Sequence, residues 1–176
     1  MATPSAHGAA SSCQFVNRAA LDLIKFSEGF VSVSYPDPVG MPTAGYGHQC
    51  RERDCREISA LLPLSYASAH QLLVADITRF TKALASYIDS SVTLNDNQWG
   101  ALVSWAFNVG TESVRNSTLL MRINQHENLG KIVAEELPKW DRVGNTVLPG
   151  LVSRRAAEVA LFNRPSNRTA HPLCLC

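Results

Sequence analysis

The feature that most constrains this chain is a change of hydrophobic period across a single glycine. From Asn17 to Glu28, the residues Ala20, Leu23, Ile24 and Ser27 recur at helical spacing, with Asn17 placed to cap the first turn. Gly29 can take the left-handed backbone that ends a helix. Beyond it, Val31, Val33 and Tyr35 alternate with Ser32 and Ser34, the period of a half-buried strand. Pro36-Asp37-Pro38 then forces a turn. Thr43 to His48 reads as the returning strand, with Gly45 and Gly47 relaxing its backbone. The chain must therefore set a hairpin directly on the end of a helix.

After the hairpin the strand period disappears. Arg51 to Pro63 is irregular and charged. A long helix is predicted from Tyr66 to about Ile88, with Leu72, Leu73, Ile77, Phe80 and Leu84 as its apolar stripe. Another starts at Asn95 or Thr93 and stops at Gly110; shorter helices fit 116–125 and 128–136. A last helix over Leu151–Phe162 follows Pro149. This predicts an α+β fold with a small hairpin lobe, a larger helical lobe and a cleft between them. An N-terminal arm over 1–13, one domain over 14–165 and a C-terminal tail over 166–176 are the expected divisions. A chain of 176 residues, 45% hydrophobic and 18% charged, can bury a real core without metals or cross-links.

Several function classes are disfavoured. No apolar run is long enough to span a bilayer, so no membrane partner is expected. Basic and aromatic residues do not interleave as in nucleic-acid modules. Residues 1–138 hold ten basic and thirteen acidic side chains, and 139–176 hold six and two, so the C-terminal end is mildly basic. The start, MATPSAHGAASSCQF, has no basic or apolar leader region, so it is not read as a signal peptide. The five cysteines, Cys13, Cys50, Cys55, Cys174 and Cys176, suit a few surface staples. A Cys50–Cys55 bridge closing the irregular loop is favoured; Cys13 to either one stays open. His48, Cys50 and Cys55 lack a finger-type spacing, so no metal is expected. The sequons at Asn116 and Asn167, with the cysteines, point to an extracellular protein.

The chemistry concentrates in the opening stretch. Glu28 stands at the negative end of a helix dipole, where the protonated form is favoured, as a general acid requires. Asp37 lies in a turn, where solvent and backbone amides keep it ionised. Two carboxyls in contrasting environments are what glycoside hydrolysis needs. Thr43 returns opposite Asp37 and can hold a water.

Glu28-Gly29, Asp37, Thr43 and Gly45-Tyr46-Gly47-His48 occur at the spacings found in the phage-type lysozymes, glycoside hydrolase family 24, which this chain resembles. Further matching blocks are LNDNQWGALVSWAFNVG (94–110), ELPKW (136–140) and LPGLVSRRAAEVALF (148–162). Their wording is most similar to the secreted fungal branch. The resemblance implies a lysozyme-like fold and an inverting muramidase that cuts the β-1,4 bond from N-acetylmuramic acid to N-acetylglucosamine in bacterial peptidoglycan. It implies Glu28 as general acid, and Asp37 with Thr43 as the groups that activate and place water. No cofactor is needed. It further suggests that His48 pairs with Asp76. Asn108, Trp140 and Arg154 are the substrate-binding candidates, with one of Arg154 and Arg155 near Glu28 or an anionic muramyl lactate and the other solvated. Trp99, Trp105 and Phe107 are assigned to the core. A monomer outside the producing cell is expected, with a cytoplasmic phage endolysin as the rival location. A catalytically weak wall-binding protein and a chitinase-like hydrolase are the rival functions.

Overall fold

The structure, a computed structural model, describes residues 16–37, 40–52 and 55–172. Helix α1 (Arg18–Glu28) starts where the sequence places it: the Asn17 side chain accepts from the Ala20 amide at 3.0 Å. It ends at Gly29, whose φ of 73° lets its amide bond back to the Lys25 carbonyl. Strand β1 (Val31–Pro36) then pairs antiparallel with β2 (Pro42–Gly45).

The predicted single return strand is instead two. Gly45 and Gly47 have φ of +66° and +83°, and this turn sends β3 (His48–Gln49) back along β2. Thr43 faces Gln49 and Ala44 faces His48 across the new pairing. The glycines thus reverse the chain, where relaxation within one strand was expected. Part of the stretch read as irregular, Arg56–Leu61, is a 3-10 helix.

Helix α2 (Tyr66–Tyr87) is capped by a reciprocal Ser65–Ser68 box and runs for about 33 Å. Its first turns pack Ala69 into a hairpin cluster with Ala44, Cys50, Cys55, Ile58 and Leu64. Its later turns give Leu73, Ile77, Phe80 and Leu84 to the helical core. One helix therefore belongs to both lobes and sets their spacing.

The helical lobe is built around α3 (Asp96–Val109). Asn95 is its cap, accepting from the amides of Asn97 and Gln98, while the Gln98 side chain accepts from the Asn95 amide. Residues 99–106 are all buried, because neighbours cover α3 on every side. Helices α1 and α2 pack on it, as does α7 (Pro149–Phe162). Trp99 and Trp105 lie in this core as expected. Gly110 both closes α3 and opens α4 (Thr111–Arg115), a helix not foreseen in the sequence. Helices α5 (Thr118–Asn124) and α6 (Leu129–Glu136) follow, joined by Arg122, which grips Glu127, Glu135 and Glu136 at 2.7–2.8 Å.

Short strands finish the lobe. β4 (Leu94–Asn95) pairs with β7 (Thr169–His171), and β5 (Arg142–Val143) with β6 (Thr146–Val147). The packed body thus reaches His171, inside the stretch expected to be tail: this side chain is 2% exposed and stacks on Trp99. Residues 1–15 and 173–176, which carry Cys13, Cys174, Cys176 and the expected arm, lie outside the described residues.

The α1–α3 crossing depends on a missing side chain. A Cβ on Gly100 would lie 2.6 Å from that of Ala20. Gly100→Ala is expected to lower stability by about 1–3 kcal/mol despite its better helix propensity, read as a lower urea midpoint. The Arg122 clamp makes a second prediction. Arg122 holds the Glu127 carboxyl below its usual range, and Lys139, then Arg122, do so for Glu136. A depressed folded value gives stability that is complete above the unfolded value of 4.5 and is lost as pH falls. Arg122→Gln should lower stability at neutral and alkaline pH, with the loss shrinking as pH falls below 4.5, so that the acid side of the stability–pH curve flattens.

Candidate active site

A cleft of about 770 Å³ lies between the lobes, and Glu28, Asp37 and Thr43 all line it. The hairpin side adds Gly47 and Gln49; the helical side adds Arg79, Phe80, Phe107, Asn108 and Glu112. A smaller hollow of about 490 Å³ in the hairpin lobe contains none of the three.

Glu28 occupies the last position of α1, and its side chain is 22% exposed. Its Oε1 accepts from Arg154 Nη1 at 2.7 Å. Its Oε2 faces Gly47, where a Cβ would come within 3.3 Å. The hairpin turn thus presses its backbone against the carboxyl, and the positive φ of Gly47 keeps a side chain out of the way.

Arg154 reaches Glu28 from a buried charge network between α3 and α7. Its Nη2 donates to the Ser104 carbonyl at 3.1 Å and its Nε to Glu158 Oε1 at 3.3 Å. Glu158 is fully buried and also accepts from the Ser104 hydroxyl at 2.8 Å. Arg155 lies 2.7 Å from its other oxygen. Burial pushes the Glu158 carboxyl up, opposed by both arginines and by Ser104. Burial draws the Arg155 guanidinium down, opposed by Glu158, although an arginine stays protonated throughout the working range. The expectation that one arginine is solvated is corrected. Arg155 is 1% exposed because α7 turns it inward onto Glu158, three residues on. Arg154 also lies beneath Glu28, outside the cleft lining, so it faces the carboxyl and not the open groove.

Asp37 is held by its own turn. Its Oδ1 accepts from the Met41 amide at 2.8 Å and its Oδ2 from Gln49 Nε2 at 3.3 Å. Thr43 is 4% exposed, and its hydroxyl donates to the Met41 carbonyl at 3.2 Å. Gln49 was not foreseen; the hairpin register that sets it opposite Thr43 is the signal that marks it.

The other candidates separate. Asn108 is exposed on the cleft wall at the end of α3. Phe107, expected in the core, also lines the cleft, its ring 5.1 Å from that of Phe80. Trp140 is outside the lining and meets Trp105 edge-on at 5.4 Å. His48 Nδ1 lies 2.9 Å from Asp76, the pairing that the resemblance suggests. The Cys50–Cys55 disulfide is present.

A helical lobe and a hairpin lobe closing on an acid-bearing groove define the lysozyme-like class of α+β folds. The Phage lysozyme family model matches residues 25–158. The endolysin of Bacillus phage PZA is 35% identical over 153 residues, covering 84% of this chain and 55% of that protein. The endolysin of Salmonella phage P22 is 31% identical, covering 79% and 91%. Among solved structures, the muramidase domain of SpmX from Asticaccaulis excentricus superposes with a TM-score of 0.74 at 30% identity, covering 85% and 98% of the two chains. A P22 lysozyme mutant gives 0.70 at 28% identity, covering 84% and 97%. This chain belongs to the phage lysozyme family. It spans about half the length of the Bacillus phage endolysins it matches.

Removing one member of a buried ion network strands its partners. Glu158→Ala is expected to cost about 3–5 kcal/mol of unfolding free energy. Asp22→Ala, which breaks the exposed Arg18–Asp22 pair, should cost no more than about 1 kcal/mol. Equal losses in urea titrations would contradict this ranking.

Proposed function

We propose that this chain is a muramidase (EC 3.2.1.17) that hydrolyses the β-1,4 bond between N-acetylmuramic acid and N-acetylglucosamine in bacterial peptidoglycan. The observation that carries the reading is the meeting of Glu28, Asp37 and Thr43 on one cleft. Family membership supports it, as does the likeness to a muramidase domain.

In this reading Glu28 is the general acid. Arg154 occupies Oε1 and fixes the carboxyl plane, so Oε2, on the Gly47 side, carries the proton. As the bond to the anomeric carbon breaks, that proton passes to the leaving oxygen. Asp37 takes a proton from the attacking water, which Thr43 helps to place, and the water oxygen bonds to the anomeric carbon from the opposite face. The configuration is inverted, and proton exchange with solvent resets both carboxyls. Asn108 offers hydrogen bonds to the sugar from the facing wall. Arg154 acts as a positioning residue through Glu28. Trp140, packed on Trp105, supports the helical lobe.

The Cys50–Cys55 bridge favours work in an oxidising, extracellular setting. Among the described residues, no helix is long and apolar enough to cross a membrane. The enzyme is taken to act as a monomer on the wall.

Defined peptidoglycan digested in heavy-oxygen water tests the bond and its chemistry. Heavy oxygen should appear at the reducing carbon of N-acetylmuramic acid, released first as the α anomer. Anhydro ends, free stem peptides or N-acetylglucosamine reducing ends would each overturn the proposal. Glu28→Gln should lower kcat by about 10²–10⁴-fold while the chain still unfolds in one cooperative urea transition. Gly47→Ala, which crowds Oε2, should lower kcat by about tenfold, since small misplacements of a reacting group are costly.

A further inference from the structure

Beside the cleft, on the far side of β3, the fold gathers a second set of reactive groups. His48, Cys50 and Glu57 bring one ligand-type atom each to within 4.8 Å of one another. Cys50 is bonded to Cys55, so a second sulfur belongs to the same place. Both cysteines are buried, at 2% and 0% exposure. They lie in the small hairpin cluster with Ile58, Leu64 and Ala69.

The histidine is arranged as a ligand. Its Nδ1 lies 2.9 Å from Asp76, which orients the ring and leaves Nε2 as the atom placed to bind a metal. That atom is buried with no hydrogen-bond partner. A carboxylate behind one nitrogen and an unsatisfied second nitrogen is the usual support of a metal-binding imidazole. Glu57 is exposed and held close by the Arg51 amide, which donates to its Oε1. Ligand atoms around a tetrahedral zinc are about 3.3–3.8 Å apart. His48, Cys50 and Glu57 must draw together by about 1 Å, and the two sulfurs must part once their bond is reduced.

We infer that reduction of the Cys50–Cys55 bond turns this corner into a zinc site, with His48 Nε2, the two thiolates and the Glu57 carboxylate as ligands. The disulfide takes two electrons and two protons from an external dithiol, which leaves as its own disulfide. The two thiols then release their protons as zinc binds. Cys55 and Glu57 are thereby tied to the end of β3 in either redox state: by a covalent bond under oxidising conditions and by a metal under reducing ones. This inference does not rest on the muramidase reading.

The test uses the full chain carrying Cys13→Ser, Cys174→Ser and Cys176→Ser, reduced with a phosphine. Zinc is titrated against a chromophoric chelator, and cobalt(II) is titrated separately. One equivalent should bind, cobalt should show a thiolate charge-transfer band with the intense visible bands of tetrahedral geometry, and zinc should raise the melting temperature. The oxidised chain should show no thiolate band. Asp76→Asn should weaken binding by about 10–100-fold through the ring it supports. Glu57→Gln, on the exposed rim, should lose affinity while keeping the fold. The inference fails if the reduced chain shows no thiolate–cobalt band, or if Cys50→Ser with Cys55→Ser binds zinc equally well.

Discussion

The contact between Arg154 and Glu28 holds the functional half of this molecule in place. It joins residues 126 apart in sequence, the end of the first helix and the inner face of the last. The arginine cannot swing away, because Ser104 and Glu158 hold its other nitrogens in a buried setting. Arg154 thereby holds one oxygen of Glu28 and leaves the other on the Gly47 side.

The rest of the architecture brings a second carboxyl to the same groove without destabilising the first. The hairpin reverses at Gly45–Gly47 so closely over Glu28 that a Cβ on Gly47 would come within 3.3 Å of its Oε2. This reversal also sets Gln49 beside Asp37. Helix α2 then carries the hairpin lobe and the helical core on one rigid axis.

Much of this was legible because it is local. The cap at Asn17, the stop at Gly29, the alternation after it and the Asp37 turn are all written within a few residues of where they act. Glu28, Asp37 and Thr43 could be named as candidates for that reason, and all three line the cleft. What was misread depends on distant partners. Whether an arginine on α7 is solvated is decided by a carboxyl across the helix turn and by the cover of α3, and Arg155 proved buried. Glu158, three and four residues beyond the two arginines, was the available clue. Helix α4 was missed because Gly110 serves two helices at once, and single-stop reasoning ends there. Phe107 packs on the core as its period suggests, and it also reaches the cleft because α3 emerges there.

The pairing of β4 with β7 bears on how the chain is made. Leu94 and Asn95 lead into the central helix, and the strand that covers them arrives only at Thr169–His171. His171 then stacks on Trp99 at the foot of the core. On a ribosome, the first ninety-odd residues emerge long before that lid exists. The hairpin can settle early, but the floor of the helical lobe stays open to solvent until nearly the whole described body has been synthesised. Chaperone demand for this protein should therefore fall late in translation, when residue 171 clears the exit tunnel.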